Sequence, residues 1–220
     1  MKSFIFAKSV NDQPIFAHKF GGPSPKVLIL GGVHGNEWEG VFAAKALLGH
    51  FMSNYDYNLE ITIVPEFNAD GVLKGQRKNA NSVDLNRNLP SNDWTSEVAK
   101  DDYHPGQSPG SEPENQGLVT WLKENQPQFV LSLHSWNPLL NTNGDCHPEA
   151  EAIRVKTGYE IKESIGYPTP GCLGTYCGLE RDMPTLTYEI QRDIDPKEII
   201  KTHLPAILDG LRVSEKRFNS

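Results

Sequence analysis

Two metal-binding residue types, His34 and Glu37, stand three positions apart, just after the apolar run Val27-Leu28-Ile29-Leu30 and the pair Gly31-Gly32. An imidazole nitrogen and a carboxylate oxygen are donors that Zn²⁺ accepts. A catalytic zinc site takes three such protein ligands and keeps a fourth position open. His-x-x-Glu alone is a weak signal, but here it falls where a strand-like run ends and a helical pattern begins. His134 closes a second run of the same kind, Phe129-Val130-Leu131-Ser132-Leu133, and is the natural third ligand. By itself it reads equally as a satisfied core histidine. Glu189 lies inside the β-rich run Thr185–Ile190. A carboxylate in an interior strand is costly unless it is paired or near a metal, so Glu189 invites a functional explanation. Arg77 and Arg87 sit in loops, in Gln76-Arg77-Lys78-Asn79 and Asp84-Leu85-Asn86-Arg87-Asn88. Taken alone they read first as surface charges.

The elements that must hold these residues follow from local pattern. Phe4–Val10 and Pro14–Phe20 predict a hairpin, with turn residues Asn11-Asp12-Gln13 between them. Lys26–Leu30 has no alternation and predicts a strand buried on both faces. Val41, Ala44, Leu48 and Phe51 give the next segment a helical face. Leu59–Phe67 predicts a strand, and residues 68–110 show almost no periodicity. So long a stretch in a compact chain is functional or disordered; the arginines it holds favour function. Ser111, Pro113 and Glu114 predict a capped helix to about Asn125. A strand over 128–135, a helix from Pro148 to about Ile165, a Gly- and Cys-rich loop over 167–183 and a strand over 185–190 follow. Asp195-Pro196 starts a last helix with a stripe of Ile200, Leu204, Ile207, Leu208 and Leu211, kinked or split at Pro205. Strands alternating with helices predict one α/β domain over 1–220, with a mixed, mostly parallel central sheet flanked by helices. In such sheets the site lies at the carboxyl ends of the strands, where His34, His134 and Glu189 fall.

Composition narrows the function classes. The 220 residues suffice for one large domain, and 37% hydrophobic with 22% charged residues is ordinary for a globular protein. A formal net charge of −7 argues against a nucleic-acid or anionic-membrane partner. No apolar run approaches a membrane span. Met1–Lys8 is too short and too charged for a signal peptide, and three cysteines (Cys146, Cys172, Cys177) suit a reducing compartment. The expected location is therefore cytoplasmic. Asp145-Cys146-His147 looks metal-like, but three adjacent residues seldom share one ion. Trp136 reads as a packing residue.

Taken in order, the motifs resemble those of zinc metallocarboxypeptidases of the carboxypeptidase A-like superfamily. They are Ser9–Ile15, His34-x-x-Glu37, Asn68-Ala69-Asp70-Gly71, Arg77, Asn86-Arg87-Asn88, Pro109–Glu114, Ser132-Leu133-His134-Ser135, Tyr176 and Tyr188-Glu189. The resemblance implies that His34, Glu37 and His134 bind one Zn²⁺ and that Glu189 is the general base. It implies that Arg77 polarises the scissile carbonyl and that Asn86 and Arg87 hold the substrate's terminal carboxylate. It places Tyr176 on a mobile loop over the substrate.

Only 12 residues separate Tyr176 from Glu189, so the loop that shapes the side-chain pocket is short. With the string Thr169–Cys177, this looks most like the bacterial murein-peptide amidases within the superfamily. That resemblance implies a murein peptide substrate cut at its γ-D-glutamyl–meso-diaminopimelate bond. Diaminopimelate ends in an amine and a carboxylate, and Glu180, Arg181 and Asp182 are candidates for a specificity loop offering both charges. An N-acyl-amino-acid deacylase of the aspartoacylase or succinylglutamate desuccinylase type is the alternative, as is a conventional metallocarboxypeptidase.

Overall fold

In the computed structural model, which describes residues 1–220, eight strands form one sheet. They are β1 (Lys2–Lys8), β2 (Pro14–Phe20), β3 (Lys26–Gly31), β4 (Glu60–Val64), β5 (Phe129–Trp136), β6 (Leu139–Asn143), β7 (Ile161–Lys162) and β8 (Thr185–Gln191). Their order across the sheet is β1-β2-β4-β3-β5-β8-β6-β7. The middle strands β4, β3, β5 and β8 are parallel, and β1–β2 is an antiparallel hairpin at one edge, as the pattern predicts. The far edge is new. β6 runs antiparallel to β8, and the two-residue β7 pairs parallel with β6. The sequence Leu139-Leu140-Asn141-Thr142-Asn143 is too short and too polar to announce itself as a strand.

Each face of the sheet buries its own core. Val27, Ile29, Leu131, Leu133, Leu186, Tyr188 and Ile190 face a layer of three helices: α1 (Trp38–Ser53), α4 (His147–Thr157) and α6 (Leu204–Phe218). Leu28, Leu30 and Val130 face the other way, onto Leu118, Trp121 and Leu122 of α3 (Pro113–Asn125). Burying each such aliphatic side chain contributes roughly 1.5–3 kcal/mol. Successive strand residues alternate between faces. In Thr185-Leu186-Thr187-Tyr188-Glu189-Ile190 the apolar residues all enter the helix-covered core, which leaves Thr185, Thr187 and Glu189 for the opposite face. Ser132 and His134 of β5 share that face, with His134 directly opposite Glu189 in the register.

Residues 68–110 are ordered by their own side chains. Asn68 caps α2 (Ala69–Lys74), its Oδ1 accepting from Gly71 N at 2.9 Å, and Gly75 ends the helix in the left-handed conformation. Asn79 Oδ1 accepts from Val83 N at 3.0 Å, and Asn88 Nδ2 donates to Pro105 O at 2.8 Å. The asparagines that spoil the periodicity therefore supply the hydrogen bonds a strand or helix would have made.

Two helix ends differ from expectation. The predicted capping box of α3 does not form: Glu112 is the N-cap and Ser111 donates to Glu112 Oε1 at 2.7 Å. Glu114 instead accepts from Val10 N and Asn79 Nδ2, both at 3.2 Å. Helix α4 stops at Thr157, because Gly158 takes a left-handed turn (φ +72°). The last helix is split, as Pro205 predicts. A short α5 (Pro196–Glu198) and a π-helical turn (Ile199–His203) precede α6. The wider π turn shifts the helical face, so Ile199 is buried and Ile200 is exposed.

Candidate active site

His34 lies just beyond the carboxyl end of β3, on a turn made possible by Gly32 (φ +65°). Glu37 is the N-cap of α1, yet its side chain makes no capping bond. It turns toward the two imidazoles. Its Oε1 lies 2.9 Å from His34 Nδ1 and its Oε2 lies 2.8 Å from His134 Nδ1. The two Nδ1 atoms are 3.2 Å apart, and the donor atoms of His34, Glu37 and His134 all lie within 4.8 Å of one another. All three residues are buried. Asp145-Cys146-His147 forms no such cluster, since the Asp145 carboxylate pairs with Arg217 at 2.7 Å.

The outer nitrogens of both rings are already engaged. His34 Nε2 donates to Asp84 Oδ1 at 3.0 Å, and His134 Nε2 meets Ser132 Oγ at 3.0 Å. Asp84 is fully buried. Its carboxylate also accepts from Arg77 Nε (3.1 Å), Arg77 Nη2 (2.8 Å) and Asn86 N (2.9 Å). Burial opposes its charge, but His34, Arg77 and Arg87 outweigh burial and hold the carboxyl well below the usual carboxylate range. An ionised Asp84 can only accept, so His34 carries its proton on Nε2 and offers the Nδ1 lone pair inward. That lone pair, the second imidazole and a carboxylate converge on one point, and this set needs a positive charge between its members. The N, N, O donors are those Zn²⁺ takes in catalytic sites, so these residues fit the ion. Asp84 escaped the sequence reading, although its place in Asp84-Leu85-Asn86-Arg87 was a usable signal. An Asp84→Asn variant is expected to bind zinc ~10–100-fold more weakly; competition with a fluorescent chelator measures it.

Glu189 lies beside His134 on the same face of the sheet. Its Oε2 is buried and has no hydrogen-bond partner within the protein. Burial raises its carboxyl to about 7, with the Glu37 charge adding to the rise and His134, Arg77 and Arg192 opposing it. Glu39, in the first turn of α1, ties the strand ends together. It accepts from Ser135 Oγ at 2.5 Å and from Asp193 N at 2.6 Å. Arg192 donates to Ser135 O at 2.9 Å and lies 3.5 Å from Glu37 Oε1.

These groups open onto one cavity of about 380 Å³. Arg77, Asn86, Arg87 and Glu189 line it, together with His34 and Glu37. Asn86 Oδ1 accepts from Leu173 N at 2.9 Å, which leaves Asn86 Nδ2 without a protein partner. The guanidiniums of Arg87 and Arg77 lie 5.0 and 5.4 Å from the centre of the Tyr103 ring, and Tyr103 stacks on Tyr167. Trp136 also lines the cavity, edge-on to Tyr167, rather than packing inside.

Tyr176 is not in the cavity. It is buried in the α3-side core with Arg181 stacked on its ring at 3.6 Å, because the π-helical turn Gly174–Leu179 directs it inward. The tyrosines that line the cavity are Tyr103 and Tyr167. Glu180, Arg181 and Asp182 also lie outside it. Glu180 accepts from Asn92 N at 2.6 Å and pairs with Arg181 at 2.9 Å, Arg181 donates to Tyr176 O at 2.8 Å, and Asp182 turns the chain at φ +52°. The triplet closes a loop on the far side of Tyr176 and does not meet a ligand in the cavity. The polar groups that line it also include Asn141, Asn143 and Thr187, none of which was singled out from the sequence. The strict alternation of Thr185–Ile190 was the signal for Thr187.

Comparison with known proteins agrees with this geometry. The zinc carboxypeptidase family profile matches residues 1–174. The chain is 34% identical to a murein peptide amidase A of Escherichia coli K12 over 84% of its length and 78% of the relative's. It is 30% identical to that of Vibrio campbellii over 82% and 75%. The solved murein-tripeptide amidase of Escherichia coli O157 superposes with a TM-score of 0.78 at 28% identity, covering 96% of this chain and 92% of that one. A carboxypeptidase A from Helicoverpa armigera shares the fold, with a TM-score of 0.80 at 23% identity. No helix is long and apolar enough to cross a membrane. With most of its length matched by the profile and the metal donors gathered at the sheet's carboxyl edge, this chain belongs to the zinc carboxypeptidase family of metallopeptidases.

Proposed function

We propose that this protein hydrolyses the γ-D-glutamyl–meso-diaminopimelate bond of murein peptides, with one Zn²⁺ held by His34, Glu37 and His134. The observation that carries this reading is a cluster of three metal donors, two of which line one cavity together with a carboxylate that has a buried, unpartnered oxygen and with two arginines. The likeness to murein peptide amidases supports the choice of bond.

When bound, the ion supplies Lewis acidity to a water molecule and to the scissile carbonyl. Glu189 takes a proton from the attacking water and returns it to the leaving amine; its buried oxygen has no protein partner to compete for that proton. Arg77 donates to the carbonyl oxygen as charge builds there, a contribution of roughly 3–4 kcal/mol for one donor. Its two bonds to Asp84 keep that guanidinium in place. Asn86 Nδ2 and the planar fork of Arg87 receive the carboxylate of the departing residue. Three free thiols suit action in the cytoplasm, in the recycling of cell-wall peptides, with residues 1–220 acting as one catalytic unit.

Mass spectrometry of products tests the reading. Zinc-loaded protein is incubated with free murein tripeptide, a conventional carboxypeptidase substrate, N-acetylaspartate and N-succinylglutamate. Diaminopimelate is expected to be released from the tripeptide, and a chelator is expected to stop it. Turnover of an acylated amino acid without release of diaminopimelate would replace this reading by a deacylase.

A further inference from the structure

One wall of the cavity is the sheet itself, and apart from Glu189 it is polar without being charged. Asn141 and Asn143 on β6 and Thr187 on β8 line it near Glu189. Asn141 stands opposite Thr187 in the register, and Glu189 follows two residues later on the same face. Asn141 Nδ2 donates to Lys162 O at 3.0 Å, so its own carbonyl oxygen is left for another donor. Asn143 is only 9% exposed, faces the cavity, and its amide makes no hydrogen bond within the protein. An amide that lines the cavity and is not tied up by the protein is available to bond a ligand there. The chain also makes room for it: a Cβ on Gly174 would come within 2.2 Å of Asn143 Oδ1. The charged Lys100 and Asp102, which also border the cavity, are exposed.

We propose that Asn143, seconded by Asn141 and Thr187, determines the specificity of this peptidase. It selects a departing residue whose side chain ends in groups that both donate and accept hydrogen bonds, and it rejects apolar and aromatic ones. The inference rests on the peptidase reading above and sharpens it. An amide gives its oxygen to an ammonium and its NH₂ to a carboxylate, so uncharged amides can hold the two-signed end of diaminopimelate without excluding either half. An apolar side chain would leave these amides dry and unpaired, a mismatch that discriminates strongly.

The test compares zinc-loaded wild type, Asn143→Leu and the near-isosteric Asn143→Asp. The substrates are γ-D-glutamyl peptides ending in diaminopimelate, lysine or leucine, and N-acylated dipeptides ending in glutamine or leucine. Wild type is expected to prefer polar-ended substrates over leucine by ~10²-fold or more. Asn143→Leu is expected to lower kcat/KM on the preferred substrate ~100-fold, through KM, with zinc content unchanged. Asn143→Asp repels a carboxylate but keeps an acceptor, so it is expected to shift preference from diaminopimelate toward lysine. Equal wild-type rates on polar and leucine-ended substrates, or the same selectivity in both variants, would overturn the inference. Preference for glutamine over leucine with no turnover of diaminopimelate peptides would sink the murein reading and leave this inference standing.

Discussion

Glu189→Gln is expected to lower kcat by ~10²–10⁴-fold, the usual contribution of a positioned general base, while zinc content and thermal stability hold. Gln has nearly the same volume, so the side chain still fits between His134 and the cavity. The buried Oε2 has no protein partner to lose. What the variant cannot do is accept a proton. The same loss should appear in kcat and in kcat/KM, because the interaction removed is made as the proton moves. Metal analysis, circular dichroism and steady-state kinetics on one preparation decide the matter. Unchanged turnover would remove Glu189 from the chemistry. Loss of zinc along with activity would show that Glu189 serves the metal instead.

Removing the metal is expected to abolish activity and to lower Tm by ~8–16 °C. A ligand bound only by the folded state stabilises it by about 4 kcal/mol at a thousandfold excess over Kd. For a chain of this size, 1 kcal/mol moves Tm by ~2–4 °C. The structural reason is the convergence of two inward-facing Nδ1 atoms and a carboxylate in a buried cluster. Without a cation these groups compete for too few protons. Scanning calorimetry with chelator, then with re-added Zn²⁺, measures the shift. His134→Ala should erase it, because the remaining imidazole and carboxylate no longer surround the ion. A wild-type Tm indifferent to chelator and zinc would contradict the assignment of these residues as ligands.

Much of the site was legible in the sequence because its chemistry is carried by rare residue types at element ends. His34 and Glu37 bracket a strand-to-helix junction, and His134 ends an apolar run. Glu189 interrupts another. Each of those signals is local, and a parallel sheet brings such ends to one edge whatever the loops do. The mixed sheet with its N-terminal hairpin followed from the same local patterns. Asp84 was nearly legible: it sits in the string that supplies Asn86 and Arg87, but its value lies in its bonds to His34 and Arg77, and no spacing displays those.

Which groups line the cavity was decided only by tertiary structure. Tyr167 and Tyr176 both lie in the loop before β8, and the sequence favoured Tyr176. The π-helical turn packs Tyr176 into the core under Arg181, and Tyr167 is left to stack on Tyr103 at the cavity. The charged triplet 180–182 follows that turn, and Glu180 and Arg181 are taken up by loop contacts. The polar wall came instead from β6, a short strand next to the sheet's far edge whose existence depends on pairing with β8, some 45 residues distant in sequence. Residue types and local periodicity marked the candidate metal donors and the sheet that carries them. The direction of a loop and the pairing of a short polar strand are set by long-range packing, and these fixed the walls of the cavity.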